Sequence, residues 1–155
     1  MKIEKLTSIV LLQLFLTLLA QNTLAATCDQ SNLKGTWHLY GHIASIYSDG
    51  GENFGSVSDY RCKVKVSSSG SIIGSSSSCK FGREGNIYNK NITGGSLKVS
   101  SNCNVTGKIK EECVDIFCDK LIIEYGTMAR DKNTFTGIIN YDDPYERGTF
   151  NAVKR

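Results

Sequence analysis

From Gly35 to Lys154 apolar residues recur at every second position within short runs, and no stretch keeps the spacing of an amphipathic helix. A chain patterned this way must hide one face of every strand and wet the other, which an antiparallel sheet closed on itself achieves. Clusters of Gly, Asn, Asp and Ser punctuate the runs, and Pro occurs once. The pattern predicts eight strands, over 35–43, 58–66, 71–79, 95–100, 103–110, 120–129, 134–141 and 147–154, with room for a short extra strand at 86–92.

The alternation also assigns faces. Trp37, Leu39, Tyr60, Val64, Val66, Leu97, Val99, Val105, Ile109, Leu121, Ile123, Tyr125, Phe135, Ile139, Tyr141, Phe150 and Ala152 fall on one side. Lys63, Lys65, Lys98, Thr106, Lys108, Lys110, Glu124, Thr136 and Asn151 fall on the other. The fold class expected is all-β, an eight-stranded antiparallel up-and-down barrel.

The first 26 residues read differently. Lys2 and Lys5 precede an apolar run from Ile9 to Ala20, and Thr23, Ala25 and Ala26 offer a cleavage site before Cys28. This is the layout of a secretory signal peptide, too short in its apolar part to span a bilayer with ease. Thr27 and Ala25 stand where a lipoprotein places a small residue and a Leu, which argues against lipid attachment. Residues 27–155 then form a single barrel domain, secreted or periplasmic, with no integral membrane segment after processing. The formal charge of the whole chain is +3. So mild a balance gives no reason to expect nucleic acid or an anionic membrane as partner.

All six cysteines, Cys28, Cys62, Cys79, Cys103, Cys113 and Cys118, lie in the exported part, and none is spaced as CxxC. They read as three disulfides, for which 15 pairings exist. Connections between the predicted strands narrow the choice. Long ones (44–57, 80–94, 111–119 and the shorter 142–146) alternate with short ones (67–70, 101–102, 130–133), so a meander has tight turns at one end and a loop-rimmed mouth at the other. Cys28 and Cys103 belong to the closed end, Cys62 and Cys79 lie towards the mouth, and Cys113 and Cys118 flank one mouth loop. The expected pairing is 28–103, 62–79 and 113–118.

The stretch Asp29-x-Ser31-Asn32-Leu33-x-Gly35-x-Trp37-His38 resembles the N-terminal signature of lipocalins, and Gly35-Thr36-Trp37 also resembles the opening of avidin-type barrels of the same calycin group. Tyr40 departs from the signature, and no stretch after the last predicted strand matches the lipocalin C-terminal helix. The resemblance implies a barrel that binds small, often apolar, molecules. It also implies a cation near the end of the last strand, Arg155 or Lys154, packed on Trp37 at the barrel floor, with Arg155 the residue expected there.

No catalytic constellation is visible: GxSxG, HExxH, a P-loop and a glycine-rich nucleotide turn are all missing. His38 and His42, four apart on one strand, lie roughly 13 Å from each other and do not share a metal. The acidic runs 49–53 and 142–146 could hold calcium weakly through carboxylate oxygens, but neither matches an EF-hand loop and both read as solvated turns. Asn91-Ile92-Thr93 and Asn104-Val105-Thr106 fit the N-glycosylation pattern, whose use depends on the host. Serines from Ser67 to Ser78 either line an inner wall or pair with backbone, and Gly107, Gly137 and Gly148 either hollow a pocket or let strands bend. Neither a metal nor a cofactor is expected. The function expected is binding of a small apolar ligand at the mouth by Tyr60, Tyr125, Phe135 and Tyr141. The alternative is a protein-interaction module or enzyme inhibitor around a dry barrel.

Overall fold

The computed structural model describes residues 27–49, 52–83, 85–112, 120–141 and 143–155, with backbone only at 46–49, 52–54, 143 and 144. Eight strands follow in order: β1 (Gly35–Asp49), β2 (Glu52–Val66), β3 (Ser78–Arg83), β4 (Asn86–Val99), β5 (Asn104–Glu111), β6 (Lys120–Met128), β7 (Thr134–Tyr141) and β8 (Asp143–Lys154). Each pairs antiparallel with the next and β8 returns to β1, closing the barrel. Every residue assigned inward by the alternation is buried or partly buried except Tyr125.

Tyr125 is a correction. A register shift between Ile123 and Tyr125 inserts one residue into β6, so the alternation flips, Gly126 turns inward and Tyr125 stands 52 % exposed on the outer wall opposite Ile138.

Strand lengths are a second correction. β1 and β2 pair without interruption from Gly35 opposite Val66 to Asp49 opposite Glu52, so most of the stretch expected as a mouth loop at 44–57 is hairpin. β4 absorbs 86–92, and β3 runs over Ser78–Arg83 where 71–79 was expected. The cause is local: Ile72 is buried but Ile73 is 38 % exposed, and a 3-10 turn at Gly74–Ser76 breaks the period before β3 begins. The mouth is therefore rimmed mainly by hairpins, and 67–77 is a long connection at the closed end.

The closed end is plugged by the chain before β1. A 3-10 turn at Gln30–Leu33 is capped by Asp29, whose carboxylate accepts from Ser31 N at 2.8 Å while Asn32 Oδ1 accepts from Asp29 N at 2.9 Å. The Ser31 hydroxyl on the same carboxylate holds the Asp29 pKa below its ordinary value. Gln30 ties the turn to β4, donating to Leu97 O at 2.7 Å and accepting from Val99 N at 3.2 Å. Leu33 is fully buried, and its carbonyl accepts from Trp37 Nε1 at 2.6 Å. Trp37 meets Phe135 edge-on at 4.7 Å, and Phe135 meets Phe150 at 5.5 Å.

The cation on Trp37 is Lys154, 5.0 Å from the ring centre, and not Arg155. Arg155 is exposed and contributes only its backbone N–H, donated to Thr36 O at 2.9 Å. The side chain of β8 that shares the inward face with Phe150 and Ala152 is residue 154, and this parity decides which cation reaches the indole.

Disulfides Cys28–Cys103 and Cys62–Cys79 are formed, as the polarity of the meander predicts. The first anchors the plug to the start of β5; the second joins directly opposed residues of β2 and β3. Cys113 and Cys118 lie outside the described residues.

Candidate functional site

At the mouth the inward faces of six strands leave a cavity of about 330 Å³. Ile43 and Ser45 of β1, Ser58 of β2, Phe81 and Arg83 of β3, Tyr88 and Lys90 of β4, Tyr141 of β7 and Glu146 of β8 line it. The aromatics form a continuous stack beneath and beside it: Tyr141 lies edge-on to Phe81 at 5.3 Å, and Phe81 lies over Tyr60 at 6.0 Å. The cavity thus has an apolar floor and a polar rim.

A buried carboxylate organises one side of that rim. Glu111, at the end of β5, is 2 % exposed; its Oε2 accepts from the Tyr141 hydroxyl at 2.5 Å and lies 3.8 Å from Lys90 Nζ. Burying a charge is costly unless it is paired and hydrogen-bonded, and Glu111 has both kinds of partner. Across the mouth Ser45, itself buried, donates to Glu146 at 2.8 Å. The cations of β3 and β4 and the acid of β8 therefore face one another over the aromatic floor.

Of the four residues expected to touch a ligand, Tyr141 lines the cavity. Tyr60 sits one layer lower, 1 % exposed, below Phe81. Its hydroxyl lies against Gly41, where an added Cβ would stand 2.5 Å from it, and it finds no hydrogen-bond partner among the described residues. Burial pushes the Tyr60 phenol well above the ordinary tyrosine range. Phe135 is at the barrel floor against Trp37, far from the mouth in the layering, and Tyr125 is outside, its hydroxyl accepting from that of Thr127.

Phe81, Arg83, Tyr88, Lys90 and Glu111 were not among the expected site residues. The alternation Cys79, Phe81, Arg83 and Tyr88, Lys90, Ile92 was available as a signal, but Gly82 and Gly85 made 80–94 read as loop.

The remaining candidates resolve into structural roles. The inward glycines serve close strand approach: a Cβ at Gly107, Gly137 or Gly148 would fall 2.2, 2.0 or 1.8 Å from a carbonyl of the neighbouring strand. The serines of 67–77 bond one another and backbone, as in Ser67 with Ser69 at 2.8 Å and Ser77 donating to Ile73 O at 2.8 Å. His42 is on the outer wall with Nδ1 2.5 Å from Asp59, both largely exposed. Among the described residues no group of three His, Cys, Asp or Glu side chains is placed to hold a metal ion, and no helix is long and apolar enough to cross a membrane. No known protein family matches the chain, and no curated protein does.

Proposed function

We propose that the protein is an exported carrier or scavenger of a small molecule bound at the barrel mouth. The observation that carries this reading is the cavity of about 330 Å³ over Phe81 and Tyr141, within the range of roughly 300–1,000 Å³ typical of small-molecule sites. Its lining suits a ligand with an apolar body for Ile43, Phe81, Tyr88 and Tyr141 and a polar end for Arg83, Lys90 or Glu146. Export rests on the basic start and apolar run of residues 1–26 together with two disulfides, which persist in oxidising compartments. Membership of the lipocalin or avidin group rests on the Gly35-x-Trp37 signature and on the closed eight-stranded barrel, a fold that serves many functions.

A second reading has its own support. Val57, Ile87, Tyr88 and Tyr145 are each more than half exposed at the mouth end, as apolar residues of a partner-binding rim are. Native mass spectrometry of protein purified from its own source separates the two. Extra mass released on denaturation, and lost on Phe81→Asp substitution, supports the carrier; a bare chain that also resists a broad lipophile screen overturns it.

A further inference from the structure

The mild net charge conceals an uneven distribution. On the outer face of β2 stand Arg61, Lys63 and Lys65, and on that of β3 stands Lys80. Lys98 of β4 and Lys108 and Lys110 of β5 continue the same wall around the barrel. All seven are exposed, and none has an ion-pair partner among the described residues. The acids described on that wall are occupied: Asp59 faces His42, and Glu112 accepts from Asn91 at 2.6 Å. The outer faces of β7, β8 and β1 carry, among the described residues, one Lys or Arg, Arg147, which is bridged to Glu124 at 3.4 Å. Arg61 and Lys80 are moreover direct cross-strand partners, a placement that costs stability when both are cations. Beside them Gly82 opens a groove of about 350 Å³ between Arg61, Lys80, Asp59 and Ile87.

We infer that this wall is a docking surface for an acidic polysaccharide. Shape selects the partner class. Eight strands about 4.8 Å apart, tilted in a closed barrel, give a backbone radius of roughly 8 Å. A planar bilayer or a stiff duplex meets so tight a curve along one line and engages the cations of one or two strands, whereas a flexible linear polyanion follows four strands round. Single-stranded nucleic acid is recognised by stacking bases on exposed aromatic side chains, and the outward positions of β2 to β5 hold none among the described residues. They hold instead Asn89, Asn91, Ser96 and Thr106, whose amides and hydroxyls suit sugar hydroxyls.

The test is affinity of the full exported chain for heparin and polygalacturonate at low and physiological salt. Dextran serves as the neutral control, and vesicles with anionic lipid and single-stranded DNA as competing partners. The variant K63Q/K65Q/K108Q/K110Q should lose about tenfold or more in affinity and flatten the salt dependence, because fewer counterions are released. A matched variant, K34Q/R130Q/K132Q/R155Q, removes the same charge elsewhere and should stay within about twofold of the parent. Circular dichroism and an unchanged thiol count verify folding of both. Equal losses in the two variants, preference for vesicles or DNA over both polysaccharides, or no binding to either polysaccharide at low salt would each overturn the inference.

Discussion

Lys154 lays its ammonium over Trp37 while donating to the Asn32 carbonyl at 2.6 Å, so one side chain of the last strand clamps both the floor residue and the turn that plugs the barrel. A cation over an indole contributes about 0.5–2 kcal/mol. Lys154→Met should therefore cost about 1–2 kcal/mol in urea unfolding followed by Trp37 fluorescence. Arg155→Gln, whose side chain has no part in the clamp, should stay within about 0.5 kcal/mol. Equal costs would show that the clamp is not what holds the floor.

Gly41→Ala tests how tightly the strands are drawn together. The new Cβ would lie 2.2 Å from Thr149 O and 2.5 Å from the Tyr60 hydroxyl, a clash largely with backbone that cannot yield cheaply. A loss of about 1–3 kcal/mol is expected, as for other overpacked cores. Gly55→Ala, whose nearest neighbour is 3.7 Å away, serves as the control and should be close to neutral.

The two disulfides should differ in weight. They span sequence separations of 75 and 17 residues. On a chain-entropy account these correspond to about 4.5 and 3.1 kcal/mol respectively. Replacing the Cys28–Cys103 pair by serines should accordingly lower the denaturation midpoint more than replacing Cys62–Cys79. The reverse order would point to native-state packing as the main contribution.

Tyr60 sets an alkaline limit. Its hydroxyl is buried and its pKa is raised, so the folded chain keeps the phenolic proton while the unfolded chain releases it from about pH 10 upward. The folded state then binds more protons than the unfolded one, and stability falls as pH rises through and beyond that point. Tyr60→Phe should remove this part of the alkaline slope and, because the hydroxyl has no partner to lose among the described residues, change stability at pH 7 by less than about 1 kcal/mol. Urea midpoints at pH 7 and pH 11 measure both effects.

The rim pair of Tyr141 and Glu111 should be energetically coupled. A double-mutant cycle of Tyr141→Phe and Glu111→Gln is expected to give an interaction energy of about 1–2 kcal/mol, since the hydrogen bond is made to a buried carboxylate. Additive losses would mean that Glu111 is held by its other neighbours alone.

Much of the barrel was legible because its physics is local and periodic. Alternation marks Trp37, Val64, Leu97, Ile109 and Phe150 as inward without any knowledge of their neighbours, and the polarity of the meander then brings Cys28 to Cys103 and Cys62 to Cys79. What escaped depends on single residues that shift the phase. One inserted residue in β6 sends Tyr125 to the solvent, and the parity of β8 puts Lys154 on Trp37 where Arg155 was expected.

The site was less legible than the fold, because its lining comes from strand ends that look like loops. Arg83, next to Gly82, and Lys90, between Asn89 and Asn91, are charged and carry no apolar signal of their own. Their inward facing shares the parity of Phe81 and Ile92 and is secured by the pairing of Cys79 with Lys90 and Phe81 with Tyr88. Likewise the cationic wall is invisible in a net charge of +3, since acids elsewhere offset it.

Closure of the barrel joins its first strand to its last, with Trp37 opposite Lys154 and Ser45 opposite Glu146. This contact has the greatest sequence separation in the fold, and loop-closure entropy must be met before it rewards the chain. A ribosome-bound chain lacking β8 has β1 as an open edge, with Trp37 and Leu39 short of one neighbour. Completion of the barrel must therefore wait until β8 has been synthesised, and a chain shortened before β8 is left with its first and seventh strands as unpaired edges.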